Sequence, residues 1–150
     1  MGLYYPQQHQ KILFGTKNPT SFEISPAVLT DAYAGNRKAL TSDYMSQLSL
    51  YFQYTTGNGG IGNYINILIE FSNDGQTWYP ETVELPSPGE TQEYPQVRKF
   101  DNAGSTAALT TYVFRISIPL ADKYFRVSAK ETIVAGSSGL LFGEALLSGK

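Results

Sequence analysis

Three observations predict an all-β chain, a jelly-roll or Greek-key β-sandwich of about eight strands with an extended N-terminal arm. The first is alternation: Leu48, Leu50, Phe52 and Tyr54 are apolar, while Gln47, Ser49, Gln53 and Thr55 between them are polar. A strand with one buried face has this period. The second is sparse charge, 16% of 150 residues, where helix surfaces are normally filled with Lys, Glu and Arg. The third is an aromatic content of 13%, including 11 Tyr and 8 Phe, residues that favour strands. A hydrophobic fraction of 41% excludes intrinsic disorder.

Residues 1 to 20 read as an arm and residues 21 to 150 as one sandwich domain. In the arm, Leu3, Tyr4, Tyr5, Ile12, Leu13 and Phe14 stand among Gln, Pro and Lys with no sustained alternation. Such a segment is too apolar to be left in water. It either folds back on its own sandwich or lies on a neighbouring subunit or partner, which makes these six residues candidate partner or oligomer contacts. Phe22 to Leu29 is a weaker strand, and Asp31 to Leu40, with Ala32, Ala34 and Ala39, suits a short helical turn. A strong strand covers Tyr44 to Tyr54. The glycine-dense Gly57-Asn58-Gly59-Gly60-Ile61-Gly62 then reads as a mobile hairpin tip.

The next strong strand runs from Ile65 to Phe71, followed by Ser72-Asn73-Asp74-Gly75, a tight turn with Gly where positive φ is needed. Thr82 to Leu85 and Gln96 to Phe100 are weaker strands. Between them, Leu85-Pro86-Ser87-Pro88-Gly89 cannot continue a central strand, because proline lacks a ladder donor. Strong strands return at Tyr112 to Ile118 and at Tyr124 to Lys130. A Gly136-Ser137-Ser138-Gly139 link leads to a closing strand, Leu140 to Leu147. The alternation places Phe52, Ile67, Phe71, Phe114, Ile116, Phe125 and Val127 inward, with Gln53, Arg115 and Arg126 outward.

Chemistry-bearing residues are few. Eleven basic and thirteen acidic residues give a formal charge of −2, without the basic excess a nucleic-acid partner requires. Zero Cys removes disulfides, thiolate nucleophiles and Cys-based zinc sites. The single histidine, His9, lies in the polar part of the arm, where an exposed side chain is the plainer reading than a catalytic base. Asp74 and Asp101 could hold calcium, yet both fit ordinary turns. No catalytic, cofactor or metal residue is therefore assigned, and the protein is read as a non-enzyme. The start lacks a secretory signal and no run approaches the ~20 apolar residues of a membrane helix, which with the absence of Cys predicts synthesis in a reducing cytoplasm without a membrane partner. One binding feature remains, Trp78-Tyr79-Pro80 with the only Trp. Exposed, Trp78 and Tyr79 form a stacking platform for a sugar ring; buried, Trp78 packs toward the core across the hairpin from Phe71.

Two resemblances rest on these residues. Ile69-Glu70-Phe71-Ser72-Asn73-Asp74-Gly75-Gln76-Thr77-Trp78, with the later Tyr124-Phe125-Arg126-Val127, resembles discoidin-type jelly-roll domains, although the terminal disulfide of that family is absent. The overall layout is similar to small tailed-bacteriophage virion proteins of the capsid decoration (cement) type. That layout is a Gln- and Tyr-containing arm, Ala39-Leu40-Thr41, the Leu48 to Tyr54 strand, the Ser-Asn-Asp-Gly hairpin, Tyr124-Phe125-Arg126-Val127 and a Leu-rich closing strand. This second resemblance implies a virion protein on the capsid surface, a homotrimer that stabilises the head by bridging subunits of the major capsid protein. The alternative it leaves is a carbohydrate-binding jelly-roll module of a tail or fibre protein.

Overall fold

The computed structural model describes residues 8–33, 39–59, 62–87, 90–101 and 110–149, with the backbone alone for 83–87, 90–95 and 101. Eight strands carry the architecture: β1 (Gln8–Phe14), β5 (Leu40–Thr41), β6 (Gln47–Thr55), β7 (Tyr64–Ser72), β11 (Arg98–Asp101), β12 (Thr111–Pro119), β13 (Tyr124–Thr132) and β14 (Leu140–Ser148). Short pieces decorate them: β2 (Thr16–Lys17), β3 (Ile24–Ser25), β4 (Ala27–Val28) and β8 (Tyr79–Pro80), with the hairpin β9 (Thr82–Ser87) and β10 (Glu90–Pro95). That hairpin forms its own two-stranded sheet, so Pro86 sits outside any central strand, as its missing donor demands.

Alternation decides which faces meet. Leu48, Leu50, Phe52 and Tyr54 of β6 face Ile65, Ile67 and Ile69 of β7 and Phe125, Val127 and Ala129 of β13 in one buried cluster. Phe71 and Phe114 are partly buried and pack on this cluster, while Ile116 is inside it. One sheet runs β1-β14-β6-β12 and the other β5-β13-β7-β11, with every ladder antiparallel. The pairing is nested: β1 with β14, β5 with β13, β6 with β12 and β7 with β11. The first strand meets the last and the second meets the second-last, inward to a central bend. This is one antiparallel ribbon rolled up, a jelly roll, which resolves the two predicted architectures.

The segment 8–14, read as part of an arm that either folds back on its own sandwich or lies on a partner, takes the first course as the edge strand β1. β6 covers only one side of β14, and β1 pairs the N–H and C=O groups of the other. A β-bulge between Ile12 and Phe14 shifts the register there, which hides the period in the sequence. Phe14 is a core residue, 1% exposed, with its ring centroid 6.2 Å from that of Phe52. Gly143 opposite makes the room: a Cβ there would lie 2.8 Å from the Phe14 ring and 2.9 Å from the Phe52 ring.

Two further expectations change. Gly57 to Gly62 links strands of different sheets and is no hairpin tip. A Cβ on Gly57 would run into the Ser137 carbonyl, and Ser137 N donates to Asn58 O at 2.9 Å. The Asn63 carboxamide fastens the same two segments by accepting from Val134 N (2.6 Å) and Ala135 N (3.0 Å) and donating to Ala135 O (2.9 Å). Gly57 therefore serves close backbone approach, and Gly59 and Gly62 supply positive φ. Tyr44, placed by alternation at the start of a strand, lies before it at φ +61° and is fully exposed; Met45 takes the buried position. Half of the stretch expected as a helical turn, residues 34–38, lies outside the described residues, while 31–33 are bends and Leu40 begins β5.

Candidate functional site

The sandwich has two seams, closed by different chemistry. Between β11 and β12 the rings of Phe100 and Phe114 stack, centroids 3.9 Å apart. Between β1 and β5 the closure is polar. Lys11 Nζ lies 3.0 Å from Asp43 Oδ2 and 3.1 Å from Thr41 Oγ1, and His9 Nδ1 lies 2.9 Å from Asp43 Oδ2. The Thr41 hydroxyl donates to Asp43 Oδ1 at 2.5 Å. Together Thr41, His9 and Lys11 hold the Asp43 carboxyl well below the usual range. His9 thus has a carboxylate partner, but the nearby hydroxyl donates to that carboxylate and not to the imidazole. The order of a nucleophilic triad is missing.

The acidic turn is also accounted for locally. Asp74 Oδ1 accepts from Gln76 N and Thr77 N, both at 2.8 Å, and from the Ser72 hydroxyl at 2.9 Å. These backbone donors depress its pKa to about 2. One oxygen of the carboxylate fixes the turn, and no group of three candidate metal ligands occurs among the described residues. One buried carboxylate is structural: Glu131, fully enclosed, accepts from the Tyr54 hydroxyl and from Gly139 N at 2.7 Å. Burial first, and then the Glu131 carboxylate, pushes the Tyr54 hydroxyl upward.

The predicted contact residues separate. Leu3, Tyr4 and Tyr5 lie outside the described residues. Ile12 is 40% exposed on the outer face of the first sheet, in register with Glu144. Leu13 packs against the core, and Phe14 is inside it, so burial in its own sandwich replaces the partner contact expected of Phe14. Trp78 does not face the core with Phe71. It is half-buried on the outer face of the second sheet, 4.3 Å from the Arg126 guanidinium, which Glu70 holds bidentately at 2.9 and 3.1 Å. Tyr79 is exposed and lies opposite Phe71, whereas Pro80 lies opposite Glu70. The two aromatics therefore do not share one platform.

A surface that sequence reasoning missed lies on the outer face of the first sheet. A shallow cleft of about 460 Å³ is lined by Tyr51, Gln53, Val113, Arg115, Phe142 and Glu144. Val113 is 75% exposed, an unusual state for a strand valine. Glu144 is tied down by Gln10 Nε2 at 2.5 Å and Lys17 Nζ at 3.3 Å, while Arg115 is exposed across the cleft. Beside it, β12 pairs with β6 on one side only, so its other edge is an unpaired edge among the described strands. The signal was present as Val113 in an outward register position, but only the sheet order sets it and Phe142 on either side of Gln53, next to Tyr51.

No protein-family model and no curated protein matches the chain. Among solved structures, the crystal structure of the infectious bursal disease virus VP2 subviral particle is similar at 12% identity and a TM-score of 0.44. The match covers 96% of this chain and 32% of that one. At this level the likeness carries no argument about role.

Proposed function

We propose that this is a non-enzymatic virion structural protein, a capsid decoration (cement) protein that bridges subunits of a phage head. In this reading it is made in the host cytoplasm and acts on the capsid surface as a homotrimer, with the major capsid protein and itself as partners and neither nucleic acid nor membrane. Jelly rolls serve capsid, lectin and cupin proteins alike, so the fold does not choose among them. The observation that supports the reading is the outer face of the first sheet. There Tyr51 and the exposed Val113 offer apolar surface around Gln53 and above the buried Phe142, Arg115 and Glu144 flank Tyr51 in register, and an edge unpaired among the described strands runs alongside. An apolar centre with a charged rim is the anatomy of a protein–protein contact. Ile12 extends it on the β1 side, and Leu3, Tyr4 and Tyr5, outside the described residues, are proposed as further partner contacts. Many such weak contacts, repeated over a lattice, stabilise the shell by avidity. The alternative, a carbohydrate-binding module of a tail or fibre protein, would rest on Trp78, over whose ring Arg126 lies, and on the exposed Tyr79 in register with Phe71.

The test is co-sedimentation of purified protein with undecorated capsids. Wild type is expected to pellet with capsids at a saturable ratio. Failure to pellet with capsids of the phage that encodes it overturns the proposal.

A further inference from the structure

The two main sheets end in β1 and β12 and in β5 and β11, and every edge but one carries a feature that blocks strand addition. β5 is two residues long and β11 four, too short to template a partner. β1 is broken by its bulge and turns His9 and Lys11 toward the seam, where Asp43 holds them. β12 has none of these features. Its nine residues run in unbroken register along β6, and its inner positions are Tyr112, Phe114, Ile116 and Ile118, without a charge. The hydrogen bonds at its two ends fix which backbone groups it leaves over. Thr56 N donates to Thr110 O at 3.0 Å and Leu120 N to Ser46 O at 2.9 Å, so the even-numbered residues bond to β6. The backbone groups of Thr111, Val113, Arg115 and Ser117 therefore point to the other side, where no described strand meets them. Pro119, which has no N–H, falls on that same side, where a strand proline costs no ladder bond.

We propose that the free edge of β12 takes up an extended segment of another protein, one with a carboxylate opposite Arg115 and apolar side chains on its alternate face. The inference rests on the reading of this sheet's outer face as a partner contact and names how that contact is made. In strand addition the main chain supplies affinity and alternate side chains supply specificity. On the outer face the added strand lies beside Thr111, Val113, Arg115 and Ser117, all exposed. Arg115 has no ion pair among the described residues, and Glu144, two strands away, is already held by Gln10 and Lys17. A carboxylate on the added strand answers that charge. On the inner face the added strand borders the seam where Phe114 stacks on Phe100, both half-buried, with half-buried Tyr112 beside them. Apolar side chains there complete the rim of the core. A second copy of this chain fits less well. Two β12 strands paired antiparallel along their whole length set Arg115 opposite or diagonal to its copy, like charges within ~8 Å. Residues 1–7 contain no carboxylate and include Pro6. The charge on the edge therefore selects a different chain.

The test needs no capsid. The probe is the peptide Thr-Val-Thr-Val-Glu-Val-Thr-Val-Thr with a short polyethylene-glycol tail for solubility, titrated calorimetrically into the full chain. Binding is expected, with amide exchange slowed at Thr111, Val113, Arg115 and Ser117 in NMR spectra. The amides of Phe114 and Ile116, bonded to β6, are protected before the peptide is added. N-methylation of the probe's Glu removes a ladder bond and is expected to weaken binding about tenfold. N-methylation of a neighbouring Val, whose N–H points away from β12, is expected to leave affinity within about twofold. Exchanging the probe's Glu for Lys, or Arg115→Glu in the protein, is expected to weaken binding about tenfold, and the two changes together to restore it. Absence of binding, equal loss from both methylations, or indifference to the charge exchange overturns the proposal. Protection of the same amides without peptide, growing with protein concentration, makes a second copy the occupant and overturns it as well. The cement reading fails separately: a chain that takes up the peptide but does not pellet with capsids keeps its strand edge and loses that role.

Discussion

Ile67 shows how much one side chain carries. It is fully buried at the centre of β7, between Ile65 and Ile69 on the same face, and touches both neighbouring strands in register at Arg98 and Ala129. Ile67→Ala is expected to cost about 2–5 kcal/mol, transfer loss plus cavity, read from urea unfolding. A loss of a few tenths would mean that the faces of β7 are reversed. Asp74 makes a pH-dependent contribution. Its folded pKa is about 2 against an ordinary 3.8, so the stabilisation is complete above pH ~4 and is lost as pH falls toward about 2. The thermal midpoint of wild type should exceed that of Asp74→Ala near neutrality. The gap should narrow steadily as the buffer is lowered from pH 4, and a gap independent of pH refutes the turn's role for the carboxylate. Asp74 was legible in the sequence because Ser-Asn-Asp-Gly is local chemistry. Glu131 was not, since its partners Tyr54 and Gly139 come from two other strand ends.

At the scale of elements, β1 is held by two unequal devices. Phe14 fills the space left by Gly143 in the core, while His9 and Lys11 pin the strand to Asp43 at a half-exposed seam. Phe14→Ala is expected to destabilise by about 3–5 kcal/mol. Breaking the His9 contact with His9→Gln should cost about 0–1 kcal/mol, because exposed ion pairs lose in solvation most of what they gain. Paired denaturation curves for the two variants check this directly; comparable losses would place the strand's anchorage at the seam instead. Deleting residues 1–14 is accordingly expected to lower the unfolding midpoint, which differs from the behaviour of a free arm. Long strands with clean alternation were readable as elements. β1 was not, because its bulge interrupts the period and its polar residues on the inner side reach a carboxylate rather than the core.

For the whole molecule, the cement reading makes a separation testable. Val113 is exposed and outside the core, so Val113→Asp should cost no more than about 1 kcal/mol of stability while weakening capsid co-sedimentation. Sedimentation equilibrium on the same protein tests the homotrimer independently of the capsid. Loss of capsid binding together with unfolding would show that Val113 supports the fold, and unchanged binding would remove the cleft from the contact. The edge of β12 answers to a peptide without capsids, so the two readings can fail separately.

By itself the sequence determined the class of the fold, the long strands, most of the core and the Asn-Asp-Gly turn. Each of these follows from interactions between near neighbours or from a period of two along one strand, both visible in a linear string. Only the tertiary structure decided which strands pair. Period two states which way a side chain points and is silent about its neighbours. Nested pairing puts the first strand against the last, so Phe14 meets Gly143 and Phe52 across most of the chain's length. The same long-range register sets Lys99, Asn66 and Lys130 in one row and puts Val113 and Phe142 on either side of Gln53. Surfaces assembled from three strands have no local signature, because the residues that form them become neighbours only when the ribbon rolls.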